Sequence, residues 1–375
     1  MTASPPATPV TAGARRPFFV NLPIDVAIMG GLSIALYVVL WLVNANVRTS
    51  TVISLGATLV WIINYPHFSA TSHRLYRSRD NRRQYPLTAY LVPVLLLIGA
   101  WLSLQSPTGV APYFVKFFQI WSPYHFSGQT FGIGMLYARR AGVSLSPIER
   151  TCLRWFIYST YLSLIATIET GVRQYQFFGV TYPALGIPVV LSQIALYAMY
   201  ALGLAVIALL IVRPLVRGQT VASMTLLLAT TQFVWFGLGQ RLPSFAEFIP
   251  AFHSLQYLLV AWSVHLKERL DEGGEAGSRQ FVTAQSADWL MTNMLGGFAL
   301  FWGLPHAASW IGGYDLNLTT AVFFAAIQIH HFFVDGVIWK LKNPRVLSPL
   351  LVSLDDLLKS RSTAQARPVM PGSGV

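Results

Sequence analysis

The chain has 375 residues, 54% of them hydrophobic and only 11% charged, with a mean hydropathy of +0.52. Soluble domains carry roughly 25% charged residues, so an ordinary soluble protein is excluded and an all-α, polytopic transmembrane helical bundle is predicted. The net charge of +12 does not point to nucleic acid, because the Lys and Arg residues cluster in short loops, as the positive-inside rule requires. A single cysteine, Cys152, excludes an intramolecular disulfide framework and any Cys-rich zinc or iron–sulfur site.

Residues 1–20 are rich in Pro, Ala and Thr and read as a disordered lead. The apolar run from Leu22 to Val43 is too long for a signal-peptide core and has no clear cleavage site, so it reads as a retained first span. About twenty apolar residues cross a bilayer as a helix. Ten such segments are predicted, at 23–45, 51–73, 87–105, 114–138, 153–173, 187–212, 221–240, 246–266, 287–309 and 317–340. Every second loop is basic. Arg74 to Arg83 follow the second segment, Arg139 and Arg140 the fourth, Arg213 and Arg217 the sixth, Lys267 and Arg269 the eighth, and Lys340 and Lys342 the tenth. This alternation predicts about ten spans with both termini cytoplasmic, in a multi-pass protein of the inner (cytoplasmic) membrane. The bundle then occupies 21–345. Residues 346–359 read as an amphipathic interfacial segment, and 360–375 as a disordered tail.

Several segments carry polar groups at depth, where ionisable side chains are costly and usually face a bundle interior or a functional cavity. The second has Asn64 and His67 on one face, with Pro66 between them. The fourth has His125 and Gln129 four residues apart, with Gly128 and Gly132 allowing close helix approach. In the fifth, Glu169 needs a partner. Arg173 at i+4 offers an ion pair, and a metal-ligand or proton-transfer role is the alternative. The eighth places His253 with Gln256 and Tyr257. The tenth is the richest: Ile329-His330-His331-Phe332-Phe333-Val334-Asp335, with Gln328, His331 and Asp335 forming one stripe and His330 about 100° around the helix.

The predicted topology puts His67, His125, His253, His330 and His331 at similar depths. His73, His265 and His306 fall at segment ends and drop out. Imidazole and carboxylate without thiolate suit iron, copper, manganese or zinc. The expected ligands are therefore His67, His125, His253, His330, His331 and Asp335, with Glu169 and Asp335 as catalytic carboxylates. Asn64, Gln129, Gln256 and Gln328 are expected to hydrogen-bond the ligand rings.

The HxxxH and HxxHH boxes of membrane desaturases and hydroxylases are absent, as is the histidine–tyrosine companion of the haem–copper oxidase His pair. Single histidines scattered over several apolar segments resemble instead the Brp/Blh-type β-carotene dioxygenases of bacteria and archaea. The resemblance is architectural and has no linear motif, so no ligand is carried over residue by residue. It implies an O2-dependent oxygenase with non-haem iron, mono- or dinuclear, acting on a small or lipophilic substrate. Haem, copper, manganese and zinc stay open as cofactors. No nucleotide-binding motif is present, so a separate electron donor is expected. Two alternatives remain: a proton- or ion-coupled transporter using Glu169, Asp335 and the histidines as a relay, and a haem- or quinone-linked electron-transfer protein using pairs such as His67 and His253.

Overall fold

A computed structural model describes residues 17–45, 49–273 and 278–339, and within the C-terminal stretch residues 350, 351, 353 and 354. Most of the expected lead (1–20) and of the interfacial segment (346–359), and all of the tail (360–375), lie outside the described residues. Of the described residues 82% are helical, with almost no strand. Among the described residues the apolar segments become ten long helices. They are α1 (Leu22–Leu42), α2 (50–77), α3 (Leu87–Gln105), α4 (Ala111–Arg140), α5 (Pro147–Ile168), α6 (Val189–Val216), α7 (223–238), α8 (Ile249–Gly273), α9 (279–312) and α10 (Leu316–Ile338). Four of them, α1, α3, α6 and α10, are long and apolar enough by themselves to cross a membrane.

Burial sorts these four. The most apolar window of α6 is 17% buried, whereas that of α10 is 50% buried. The outer faces of α3 and α6 expose Leu95, Leu97, Trp101, Tyr197 and Leu204. Exposed apolar faces of this kind suit a membrane or a partner protein. Helix α10 instead packs on α2, α3, α4 and the end of α9, at the centre of the bundle.

Among the described residues six five-residue turns widen to π geometry, and four of them end two residues before a proline. Val60–Asn64 precedes Pro66, Leu87–Leu91 precedes Pro93, Ala208–Val212 precedes Pro214, and Ala299–Gly303 precedes Pro305. A proline ring clashes with the carbonyl four residues earlier and donates no N–H. One wider turn relieves the clash and keeps the helix running. In α2 this adjustment lies one turn before His67.

The two ends of the bundle are closed differently. At one end, strands β1 (Gln174–Phe177) and β2 (Val180–Pro183) pair antiparallel in the α5–α6 connection. Their turn, Phe178-Gly179, has φ of 44° and 78°, as a two-residue hairpin turn requires. Val180 and Tyr182 of this hairpin pack on Ala321 and Val322 of α10. At the other end, buried Asp25 accepts hydrogen bonds from Phe19 N (2.7 Å), Val20 N (3.0 Å) and Tyr137 Oη (2.6 Å). Arg140 donates to the carbonyls of Pro17, Phe18 and Leu350, tying the entering chain and the C-terminal stretch to the end of α4.

Helices α2 and α9 touch backbone to backbone at Gly297, where a Cβ would fall 2.6 Å from the carbonyl carbon of Tyr65. A backbone atom cannot rotate away as a flexible side chain can. Gly297→Val should therefore destabilise the protein by about 1–3 kcal/mol or more, read as a lower melting temperature in detergent. Gly303→Ala, whose Cβ would meet nothing closer than 4.0 Å, should leave it unchanged.

Candidate metal centre

Four helices each bring one histidine to the middle of the bundle: His67 from α2, His125 from α4, His253 from α8 and His331 from α10. Each offers one ligand atom, and these atoms all lie within 4.8 Å of one another. His67 Nε2 stands 2.9 Å from His331 Nε2, which stands 3.1 Å from His125 Nε2. His253 faces His67 and His125 at ring-centroid separations of 5.3 and 5.2 Å. Asp335 adds a carboxylate. Its Oδ2 is 3.4 Å from His331 Nε2 and 3.7 Å from His125 Nε2. Its Oδ1 accepts from Thr71 Oγ1 at 3.3 Å, and that hydroxyl also stands 2.6 Å from Tyr257 Oη.

This donor set fits a transition-metal ion. With metal–nitrogen bonds of about 2.1 Å, adjacent ligands of an octahedral ion stand about 3.0 Å apart and opposite ones about 4.2 Å. Both nitrogens of His253 are buried with no hydrogen-bond partner among the described residues, as are Nδ1 of His67 and Nδ1 of His331. Leaving a buried polar group unpaired costs about 1–3 kcal/mol. A cation at the shared point would engage the nitrogens that converge there, Nε2 of His67, His125 and His331 and one nitrogen of His253, and would leave Nδ1 of His67 and of His331 unpaired.

The local sequence explains how each ring arrives there. In α2 the widened turn ending at Asn64, followed by Pro66, sets the phase of His67. Asn64 Nδ2 donates to Ser254 Oγ (2.9 Å) and to the Pro250 carbonyl (3.3 Å), locking α2 to α8 beside His253. In α4, Gln129 Nε2 donates to the backbone carbonyl of His253 (3.0 Å). In α8, Gln256 Nε2 donates to the Met29 carbonyl (2.8 Å), docking α8 on α1. These three amides were expected to bond the ligand rings. They bond backbone and a serine hydroxyl instead, because each side chain leaves its helix toward a neighbouring helix rather than along its own face. Gln328 is buried three residues before His331, and no hydrogen bond joins it to the histidines among the described residues.

Two further expectations are corrected. His330 does not join the cluster. Its Nε2 stands 3.1 Å from Tyr76 Oη and its ring stacks on Tyr76. Adjacent residues on a helix diverge by about 100°, and in α10 that turn carries His330 out of the shared space. Glu169 is not at the centre and does not pair with Arg173. Helix α5 ends at Ile168 and the chain turns through Gly171 (φ 71°), so the i+4 relation never forms. Glu169 instead takes the buried Lys116 Nζ on both carboxylate oxygens, one at 2.5 Å, and accepts from Leu185 N at 2.8 Å. Lys116 lies roughly 13 Å along α4 from His125. The pair anchors the hairpin and stands apart from the cluster.

Thr71 was not anticipated. It lies one turn after His67 on the same stripe of α2, so the i, i+4 rule that paired the other residues also reaches it. Tyr257 was seen to share a face with His253, and its ring stands edge-on to His67 at 4.2 Å.

A cavity of about 510 Å³ adjoins the cluster on the side of His125 and Asp335. Ligand pockets typically measure roughly 300–1,000 Å³. Its walls include Trp121, Tyr124, Phe332 and Val260. The chemistry available is therefore that of a nitrogen-rich, carboxylate-flanked cation site facing an apolar chamber.

His331→Ala and His67→Ala should each lose bound metal, whereas His330→Ala should keep it, as measured by elemental analysis of purified protein. Lys116→Met should destabilise the fold by about 3–5 kcal/mol, because it strands a buried carboxylate, yet leave metal content intact. Adding Glu169→Leu should restore most of the lost thermal stability. No family model matches the chain, and neither a curated protein nor a solved structure is significantly similar to it.

Proposed function

We propose that the protein is an integral-membrane, metal-dependent oxidoreductase that uses O2 on a small or lipophilic substrate, with iron as the preferred metal. The observation that carries this reading is the convergence of four buried histidines and Asp335 beside an apolar cavity. In the same reading all ten long helices cross the inner membrane with both termini cytoplasmic, and reducing equivalents come from a separate donor.

Each part has physical support. An iron held by these side chains would supply a redox-active Lewis acid able to engage O2. His67, His253 and His331 are almost fully buried, so water is kept from the site. Asp335 sets a carboxylate between the cluster and the cavity, where it offsets cationic charge. Trp121 and Phe332 offer an apolar wall to a substrate that reaches His125.

The alternatives fit the geometry less well. Imidazole nitrogens 2.9 and 3.1 Å apart leave no room for a porphyrin plane between them. A proton or ion relay strings its groups along a path, whereas these groups meet at one point. Glu169, a natural member of such a relay, is neutralised by Lys116.

Detergent-purified protein should contain iron in stoichiometric amount, show no Soret band, and consume O2 when given a reductant and a lipophilic substrate. Metal-free protein that retains its fold and its helical content would end the proposal.

A further inference from the structure

The cavity beside the cluster has a shape as well as a chemistry. On α4 its wall is formed by His125, Gly128, Gln129, Gly132, Ile133 and Leu136. These positions repeat at three and four residues and make one straight stripe. From His125 to Leu136 the stripe runs roughly 16 Å along the helix axis. Facing it, α10 contributes Gly336 beside Asp335. A Cβ placed on Gly132 or on Gly336 would meet nothing within 4 Å, so both glycines border open space. They are therefore not needed for helix contact, and the small-residue pattern at Gly128 and Gly132 does not seat a neighbouring helix at Gly132.

The mouth of the cavity is also visible. Tyr124, Phe333 and Gly336 line it and are exposed, Tyr124 by 45% and Phe333 by 38%. The opening thus faces outward, sideways from the bundle, between α4 and α10. An apolar rim that opens on the side of a membrane bundle faces hydrocarbon.

We infer that the space between Gly132 and Gly336 is a lateral portal and trough for a slender, elongated apolar chain, which enters from the bilayer and lies along α4 with one position at His125 and Asp335. The inference rests on the proposed function for what happens at that end, and on the cavity alone for the binding. A compact apolar molecule of equal volume would leave the length of the stripe unfilled. The two glycines set the cross-section: any side chain there projects into the path of the chain. They determine which substrates reach the centre without touching the metal ligands.

The test is binding, read separately from turnover. A brominated long-chain fatty acid and a phosphatidylcholine brominated on its acyl chain are the two chain probes, with 1-bromoadamantane as the compact one. Bromine close to Trp121, which lines the cavity, quenches its fluorescence, and Trp121→Phe identifies that signal. Saturable quenching of Trp121 by a chain probe, and none by bromoadamantane, is expected; quenching by the fatty acid alone points to a free lipophile, and quenching by both admits membrane lipid. Gly132→Leu and Gly336→Leu should weaken chain binding by roughly tenfold or more, with metal content unchanged. Gly132→Ala and Gly336→Ala add one methyl group into open space, keep the fold, and should give an intermediate loss. Equal quenching in all four variants, or quenching by bromoadamantane as strong as by the chains, overturns the trough. Metal-free protein that still binds the chain would end the oxidoreductase reading and leave the trough standing.

Discussion

Four imidazole rings that bring one nitrogen each within 4.8 Å of the others, inside an apolar bundle, are the constraint on which the rest of the structure depends. Neutral rings can approach so closely only if their helices do. Helices α2, α4, α8 and α10 are not neighbours in sequence, and each must present its histidine at one height and one angle. The close nitrogens of His67, His331 and His125 can share protons, but both nitrogens of His253 are buried without a partner among the described residues, and a cation among the rings would engage one of them. The arrangement is therefore costly as a packing solution and reasonable as a binding one.

Much of the surrounding polarity goes into holding that approach. Asn64 ties α2 to α8, Gln129 ties α4 to the backbone of His253, and Gln256 ties α8 to α1. Amides buried among apolar helices find few alternative partners, so each bond fixes a helix against its neighbour. The backbone adjusts to the same end. Gly297 lets α9 press on the carbonyl of Tyr65, and the widened turn before Pro66 re-aims the residues that follow. One ion pair and one carboxylate hydrogen bond stand apart from this work. Lys116 with Glu169 secures the hairpin end, and Asp25 with Tyr137 secures the other.

The histidine segments were legible because two simple regularities met in them. Apolar runs near twenty residues long showed where helices would be. Polar side chains within those runs stood out because burying them needs a reason. Spacing of three and four then placed Gln328, His331 and Asp335 on one stripe of α10. The same reasoning failed where it assumed that a helix continues or that a shared face means a shared bond. Glu169 sits where α5 ends, so its i+4 neighbour Arg173 was never beside it. Asn64, Gln129 and Gln256 lie on the right faces, but a long amide reaches across to another helix as readily as it reaches the ring beside it.

By itself, the sequence determined that the chain is helical and apolar and that its polar groups cluster on particular helix faces, because hydropathy and the 3.6-residue period are local properties. Only the tertiary structure decided which faces meet. It separated His331 from His330, gave Lys116 to Glu169, brought Thr71 to Asp335, and opened a chamber beside His125. Each of these depends on the distance and rotation between helices far apart in the chain, and no local regularity encodes those quantities.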